Sequence, residues 1–350
     1  MILTFDKILG ELKKNQYRSI YLLMGEEPYF IDVIADYIAD NVLPETEKTF
    51  NQIVLYGKDA NVFQVLDAAK RFPMMSQHQV VILKEAQSMK GSRKEEKELK
   101  DINKLSDYVE KPLKSTILVI CFKENSKDKF DKRTKLYKAL EKSKDAVVFE
   151  SSKVRDYQLP AWINAYLSER GYSIVPAAAA MLTEYLGTEL SKVVNELNKL
   201  MITIPVAEKK ITLEHIEQNI GISKDYNIFE LRKALGEKNV LKANRIVNYF
   251  SRNPKDNPMV LVVASLYSYF LQILTYHYLT DKSQAAAAAA LKTAPYFVKD
   301  YEAAARKYPA QKVIQIISIF REYDLKSKGV GSASASDGEL MREMVFKILH

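Results

Sequence analysis

The residues Gly25-Glu26-Glu27-Pro28-Tyr29-Phe30-Ile31-Asp32 stand between the first apolar run of the chain and a helical pattern. This is where a nucleotide-binding α/β domain carries its phosphate loop. A phosphate cradle requires converging backbone N–H groups, a second glycine for close approach, a lysine for the phosphates and a serine or threonine for magnesium. The segment has no second glycine, no lysine and no serine or threonine; it puts two carboxylates where phosphate charge would lie and loses an N–H at Pro28. The third apolar run, Val80-Val81-Ile82-Leu83, ends in Lys84-Glu85, where a magnesium-dependent NTPase places Asp-Glu, and a lysine there repels a metal. Glu26 and Glu27 could be an acid/base pair, but adjacent carboxylates at a helix N-terminus are more simply stabilised by the helix dipole. Gly25, Glu26, Glu27 and Pro28 are therefore read as a degenerate phosphate loop, with no cofactor and no nucleotide hydrolysis expected.

No other catalytic constellation is present: the chain has no Gly-x-Ser-x-Gly, no His-Glu-x-x-His and no Cys/His pair at useful spacing. One cysteine, Cys121, and four scattered histidines, His78, His215, His277 and His350, supply neither a disulfide framework nor a metal site. A reducing compartment fits this usage.

A second group is apolar. In Arg71-Phe72-Pro73-Met74-Met75-Ser76-Gln77-His78-Gln79 a helix ends at the proline, leaving Phe72, Met74 and Met75 on a connector ahead of a strand. Taken alone, such residues either fold back into the core, where methionine is a common gap filler, or project from it.

These residues need elements to position them. The chain has 350 residues, 47% of them apolar, enough for two or three domains that each bury a core. In residues 1–152, apolar runs at 20–24, 52–56, 79–84, 116–122 and 146–150 read as strands buried on both faces. Helical patterns at 28–40, 61–71, 99–110 and 131–144 lie between them, which predicts an open parallel five-stranded α/β sheet. Beyond residue 152 the pattern is helical. Helices are expected at 159–170, stopped by Gly171, at 176–186 and 189–201, with Gly187 between them and Thr188 capping the second, and at 213–220, capped by Thr212. Residues 221–226 read as a linker, Asn227 to Glu230 has capping-box spacing, and 253–258 and 327–338 read as loops. The alanine run 285–290 reads as an ordinary helix start.

Lys and Arg number 52 against 44 Asp and Glu, a net charge of +8. Residues 84–153 hold 19 of the basic and 13 of the acidic residues, so most of the excess is local. Mixed signs at helical spacing, as in residues 94–100, read as a solvated helix face; the competing reading is a phosphate-facing surface. The N-terminus is a poor signal peptide and no run of eighteen apolar residues occurs, so a soluble, cytoplasmic protein without a membrane is expected.

Tyr21-Leu22-Leu23-Met24-Gly25-Glu26-Glu27-Pro28-Tyr29-Phe30-Ile31 resembles the opening motif of the delta subunits of bacterial DNA polymerase III, the clamp-loader wrench. The stretch from Glu189 to Leu200, with its Asn195-Glu196-Leu197 core, resembles the family's lid helix. The segments Ile211-Thr212 to Ile216, Asn227-Ile228-Phe229-Glu230-Leu231 and Ala234-Leu235 resemble its passage from lid to collar. Asp324-Leu325-Lys326-Ser327-Lys328-Gly329 resembles a late collar motif. Each match is weak, but their order over essentially the whole chain is specific.

The resemblance implies an AAA+-like domain without a working ATP site at 1–152, a helical lid at 153–222 and a helical collar at 223–350. It implies a non-enzymatic DNA replication subunit that binds and opens the sliding clamp (beta subunit) for loading onto primed DNA. The implied hetero-pentamer includes ATP-binding gamma/tau subunits and delta-prime. Phe72, Met74 and Met75 are then a hydrophobic plug for the clamp, although relatives often place an aromatic after an aliphatic residue where this chain has Met74-Met75. The alternatives are an active AAA+ NTPase with an atypical phosphate loop and a DNA-binding scaffold outside replication.

Overall fold

The computed structural model describes residues 1–89, 101–205, 208–220, 226–293, 295–331 and 335–350. The mixed-sign run at 94–100 and most of the expected linker, 221–225, lie outside the described residues. The chain divides into two compact units, Met1–Val154 and Arg155–His350.

The first unit contains α1 (Phe5–Leu12), β1 (Ile20–Gly25), α2 (Pro28–Asn41), α3 (Glu45–Asn51), β2 (Gln52–Tyr56), α4 (Val62–Lys70), β3 (Gln79–Lys84), α5 (Ser106–Glu110), β4 (Thr116–Lys123), α6 (Lys135–Lys142) and β5 (Ala146–Ser151). All five strands are parallel, in the order β2-β3-β4-β1-β5. Because strand side chains alternate between faces, Leu22, Met24, Val81, Leu83 and Ile120 meet α4, α5 and α6 on one side. Leu23, Ile82, Val119, Cys121 and Val147 meet α1 and α2 on the other. Covering both faces requires apolar residues at consecutive positions, which is why these runs do not alternate.

β2 departs from this expectation: as an edge strand it is buried by a neighbour on one side only, and Val54 and Tyr56 are exposed. The opposite edge is covered by the N-terminus, where the Leu3 N–H donates to the Val148 carbonyl at 3.1 Å and the Val148 N–H to the Met1 carbonyl at 2.9 Å. α1 and α3 were not anticipated. The helix expected at 99–110 is, over its described part, a 3₁₀ turn, Ile102–Leu105, followed by the short α5. The one expected at 131–144 begins later, at Lys135, because the Thr134 hydroxyl caps it by accepting the Tyr137 N–H at 3.3 Å.

The second unit begins with α7 (Leu159–Ser168), β6 (Ser173–Ile174), α8 (Pro176–Leu186), α9 (Leu190–Thr203), β7 (Lys210–Ile211) and α10 (Leu213–Ile220). β6 and β7 form a two-residue parallel ladder, too short to show as a pattern in sequence. Gly171 and Gly187 have positive φ, +76° and +67°. Thr188 does not cap α9. The helix begins one residue later than expected, so Glu189 occupies the N-cap and makes no capping side-chain bond.

The unit continues with α11 (Ile228–Gly236), α12 (Val240–Arg252), α13 (Met259–His277), α14 (Gln284–Leu291), α15 (Val298–Lys307), α16 (Ala310–Ser327) and α17 (Asp337–Leu349). Asn227 caps α11 by accepting the Glu230 N–H at 3.0 Å. The Ser283 hydroxyl caps α14, the alanine helix, at 3.4 Å. Ser336 and Glu339 form a reciprocal capping box that starts α17 inside the expected loop. These helices share one apolar core, including Leu235, Phe250, Phe270, Tyr308, Phe320 and Met344. α13 is long and apolar enough to cross a membrane, but Met259, Val262, Leu266, Phe270 and Ile273 on it are core residues of this unit.

Candidate functional site

At the C-terminal end of β1, Gly25 has φ +130°, a conformation side chains rarely adopt. A Cβ there would lie 2.1 Å from the Ser151 carbonyl oxygen, so glycine is required for β1 and β5 to close together. That closeness uses up the backbone donors. Glu26 N–H donates to the Ser151 carbonyl at 3.0 Å and Glu27 N–H to the Ser151 hydroxyl at 3.2 Å. The Ser151 hydroxyl in turn donates to the Met24 carbonyl at 3.3 Å. Glu27, buried, is the N-cap of α2, and its carboxylate accepts the Tyr29 N–H at 3.2 Å. Pro28 has no N–H, so the donors at 26, 27 and 29 all end on the protein itself.

The charges are likewise paired internally. Glu26 meets Lys129 at 3.2 Å, Asp32 meets Lys123 at 2.7 Å, and Lys84 meets Asp36 at 3.0 Å. Partial burial pulls the Lys84 pKa down, but the hydrogen bond and charge of Asp36 outweigh it and hold it above the ordinary lysine value. Lys84 thus stays a cation where a metal-binding carboxylate would be needed. Among the described residues no three His, Cys, Asp or Glu side chains gather as a metal site. Gly25, Glu26, Glu27 and Pro28 are brought together, but as a self-satisfied strand-to-helix turn.

The second candidate lies between α4 and β3. α4 starts with a reciprocal Asn61/Gln64 capping box, and its last carbonyls are held from outside: Ala69 accepts from the Tyr108 hydroxyl at 3.0 Å and Ala68 from the buried Gln79 amide. The chain leaves at Arg71 in extended conformation, and the helix stops there. Phe72, Met74 and Met75 are 78%, 61% and 98% exposed, so none packs into the core of the unit. Solvent rather than packing surrounds them, while the backbone is held. Met74 N–H donates to Asn51 Oδ1 at 2.6 Å and Asn51 Nδ2 donates to the Met74 carbonyl at 3.0 Å. Met75 has φ +53°, a left-handed conformation uncommon outside glycine. The turn closes where His78 N–H donates to the Ser76 hydroxyl at 3.3 Å and that hydroxyl donates to the His78 carbonyl at 3.0 Å.

Two residues of this site were missed in the sequence. Asn51 lies 23 positions from its partner and carries no motif. Phe50, 66% exposed at the end of α3 beside Asn51, sits in a segment too polar to show helical periodicity. Much of the local positive charge is compensated: Lys114 pairs with Asp145, Lys132 with Glu150, Arg133 with Asp131 and Lys135 with Asp107.

The family model of the DNA polymerase III delta subunit matches residues 21–152, and the model of the C-terminal domain of that subunit matches residues 225–345. DNA polymerase III subunit delta of Bacillus subtilis (strain 168) is 25% identical over 344 residues, covering 98% of this chain and 95% of that protein. The solved Bacillus subtilis DNA clamp loader delta protein shares the fold, with a TM-score of 0.56, 24% identity and 99% of each chain covered. With both family models matched in order across the two units, the chain belongs to the DNA polymerase III delta subunit family.

Proposed function

We propose that this chain binds the ring-shaped sliding clamp through Phe72, Met74 and Met75 and springs or traps one clamp interface open, so that the ring can be loaded onto primed DNA. The observation that carries this reading is the connector: three large apolar side chains stand in solvent on a backbone pinned by Asn51, in a chain of the delta family. Exposing such side chains forgoes about 1.5–3 kcal/mol each of burial, a cost that a partner's pocket would recover.

The chain acts without ATP of its own, because the donors of its phosphate loop are taken by Ser151 and Glu27. ATP-binding gamma/tau subunits and delta-prime complete a cytoplasmic hetero-pentamer with it. Residues 153–222 act as the lid and 223–350 as the collar that joins the ring. The ion pairing of the lysines in the first unit favours weak DNA binding by the isolated chain, with useful affinity only in the assembled loader.

The test is to mix the purified chain with the sliding clamp of the same organism and separate by size exclusion. Co-elution as a complex is expected; separate elution at micromolar concentrations of both would overturn the reading.

A further inference from the structure

Asn51 is 1% exposed and ends α3, and its side-chain amide makes three bonds. It accepts the Met74 N–H, donates to the Met74 carbonyl and donates to the Glu47 carbonyl of its own helix at 3.3 Å. Toward Met74 it satisfies both backbone groups of one residue, as the peptide of a neighbouring strand would. The pairing to an N–H on one side and a carbonyl on the other also fixes which end of the amide is oxygen.

The next residue needs such support. Met75 is left-handed, and with its side chain 98% exposed no packing of that side chain holds the backbone there. An uncommon conformation persists only where its surroundings over-determine it. Here the flanks do so, through Asn51 before it and the Ser76/His78 turn after it.

We propose that Asn51 is the positioning residue of the docking connector, presetting Met74 and Met75 in the projecting shape that a partner's pocket receives. This rests on the reading that the connector binds the sliding clamp. Asn51 touches no partner itself; it raises the fraction of molecules whose connector is ready to bind. Apparent affinity scales with that fraction, so lowering it to about a tenth weakens binding about tenfold.

The experiment uses the full chain with the sliding clamp of the same organism. It compares the wild type, Asn51→Ala, Met74→Ala/Met75→Ala and the triple variant. Asn51→Asp serves as a second probe that preserves side-chain size and the bond from Met74 N–H but cannot donate to the Met74 carbonyl. Asn51→Ala and Asn51→Asp are expected to weaken clamp binding, Asn51→Ala by about tenfold, and Asn51→Ala to have no further effect in the Met74→Ala/Met75→Ala background. Amide hydrogen exchange of Met74 should quicken in Asn51→Ala, which removes the acceptor of that N–H, with β3 unchanged. A purely structural role would instead lower the melting temperature and leave the clamp affinity alone. Unchanged affinity in both Asn51 variants, or the same loss in both backgrounds, would overturn the positioning role while leaving the connector as the clamp contact. If Met74→Ala/Met75→Ala itself leaves affinity intact, the clamp reading falls and the positioning role with it.

Discussion

The Ser151 hydroxyl accepts the Glu27 N–H at 3.2 Å, at the strand-to-helix turn where a nucleotide-binding relative of this fold would offer that amide to a phosphate. An adjacent amide, Glu26, goes to the Ser151 carbonyl. The turn is shut by the strand next to it, and Gly25 is what allows the approach.

Replacing Gly25 by alanine should destabilise the first unit by about 2–5 kcal/mol, since it combines a disfavoured φ with overpacking against the Ser151 backbone. Gly171 is the control: its φ is also positive, but nothing lies within 4 Å of an added Cβ. Gly171→Ala should cost only about 1–2 kcal/mol. Urea denaturation of the two variants measures the difference, and equal costs would contradict the close approach.

ATP with magnesium should leave the melting temperature unchanged. A functioning site at hundredfold excess over its dissociation constant would add about 2.7 kcal/mol of stability, well within the range of a thermal shift measurement. A reproducible rise that disappears on substituting Glu27 or Lys84 would revive the NTPase reading.

The strand pattern in the sequence was legible because a parallel sheet covered on both faces needs uninterrupted apolar runs, and Leu22-Leu23 and Val81-Ile82 supply them. The edge position of β2 was not, because strand order depends on long-range pairing that no local pattern encodes. Likewise Phe72, Pro73, Met74 and Met75 mark a connector with apolar cargo, whereas its outward direction and its bonds to Asn51, 23 positions away, exist only in the folded chain. The lack of a lysine, a hydroxyl and a second glycine between Gly25 and Asp32 could be read from residue types alone. That Ser151 closes this turn could not, since Ser151 ends β5, more than a hundred residues on. Thr188 misled because residue type suggests a cap, while the N-cap position falls one residue later, on Glu189.

Cys121 is buried in the sheet, and desolvation pushes its thiol up to about 12. It should therefore be inert to a thiol reagent at pH 8 in the native state and react on unfolding in urea. Fast stoichiometric labelling of the native chain would contradict the placement of β4.

In the second unit Glu322 on α16 meets Lys326 at 2.7 Å and Lys347 on α17 at 3.3 Å. The hydrogen bond from Lys326 is the main reason its carboxyl is held below the usual value of 4.5, with Lys347 adding to it. A carboxylate lowered on folding stabilises fully above its unfolded pKa and loses that contribution as pH falls through the folded one. Glu322→Gln should thus be slightly less stable than wild type at neutral pH and match it in acid. The neutral-pH difference is small because the pair is screened by solvent. Melting curves from pH 7 to pH 3 follow the convergence; a gap that widens in acid would contradict the pairing.

The most direct measurement of the central claim is paired: clamp affinity and thermal unfolding of Met74→Ala/Met75→Ala against wild type. Losing two anchors is expected to cost roughly 3–5 kcal/mol of binding, on the order of a hundredfold to a thousandfold in dissociation constant. Folding should barely change, because both side chains stand in solvent. Unchanged clamp affinity would contradict the account, most sharply if accompanied by the roughly 2–5 kcal/mol destabilisation that truncating a buried methionine brings.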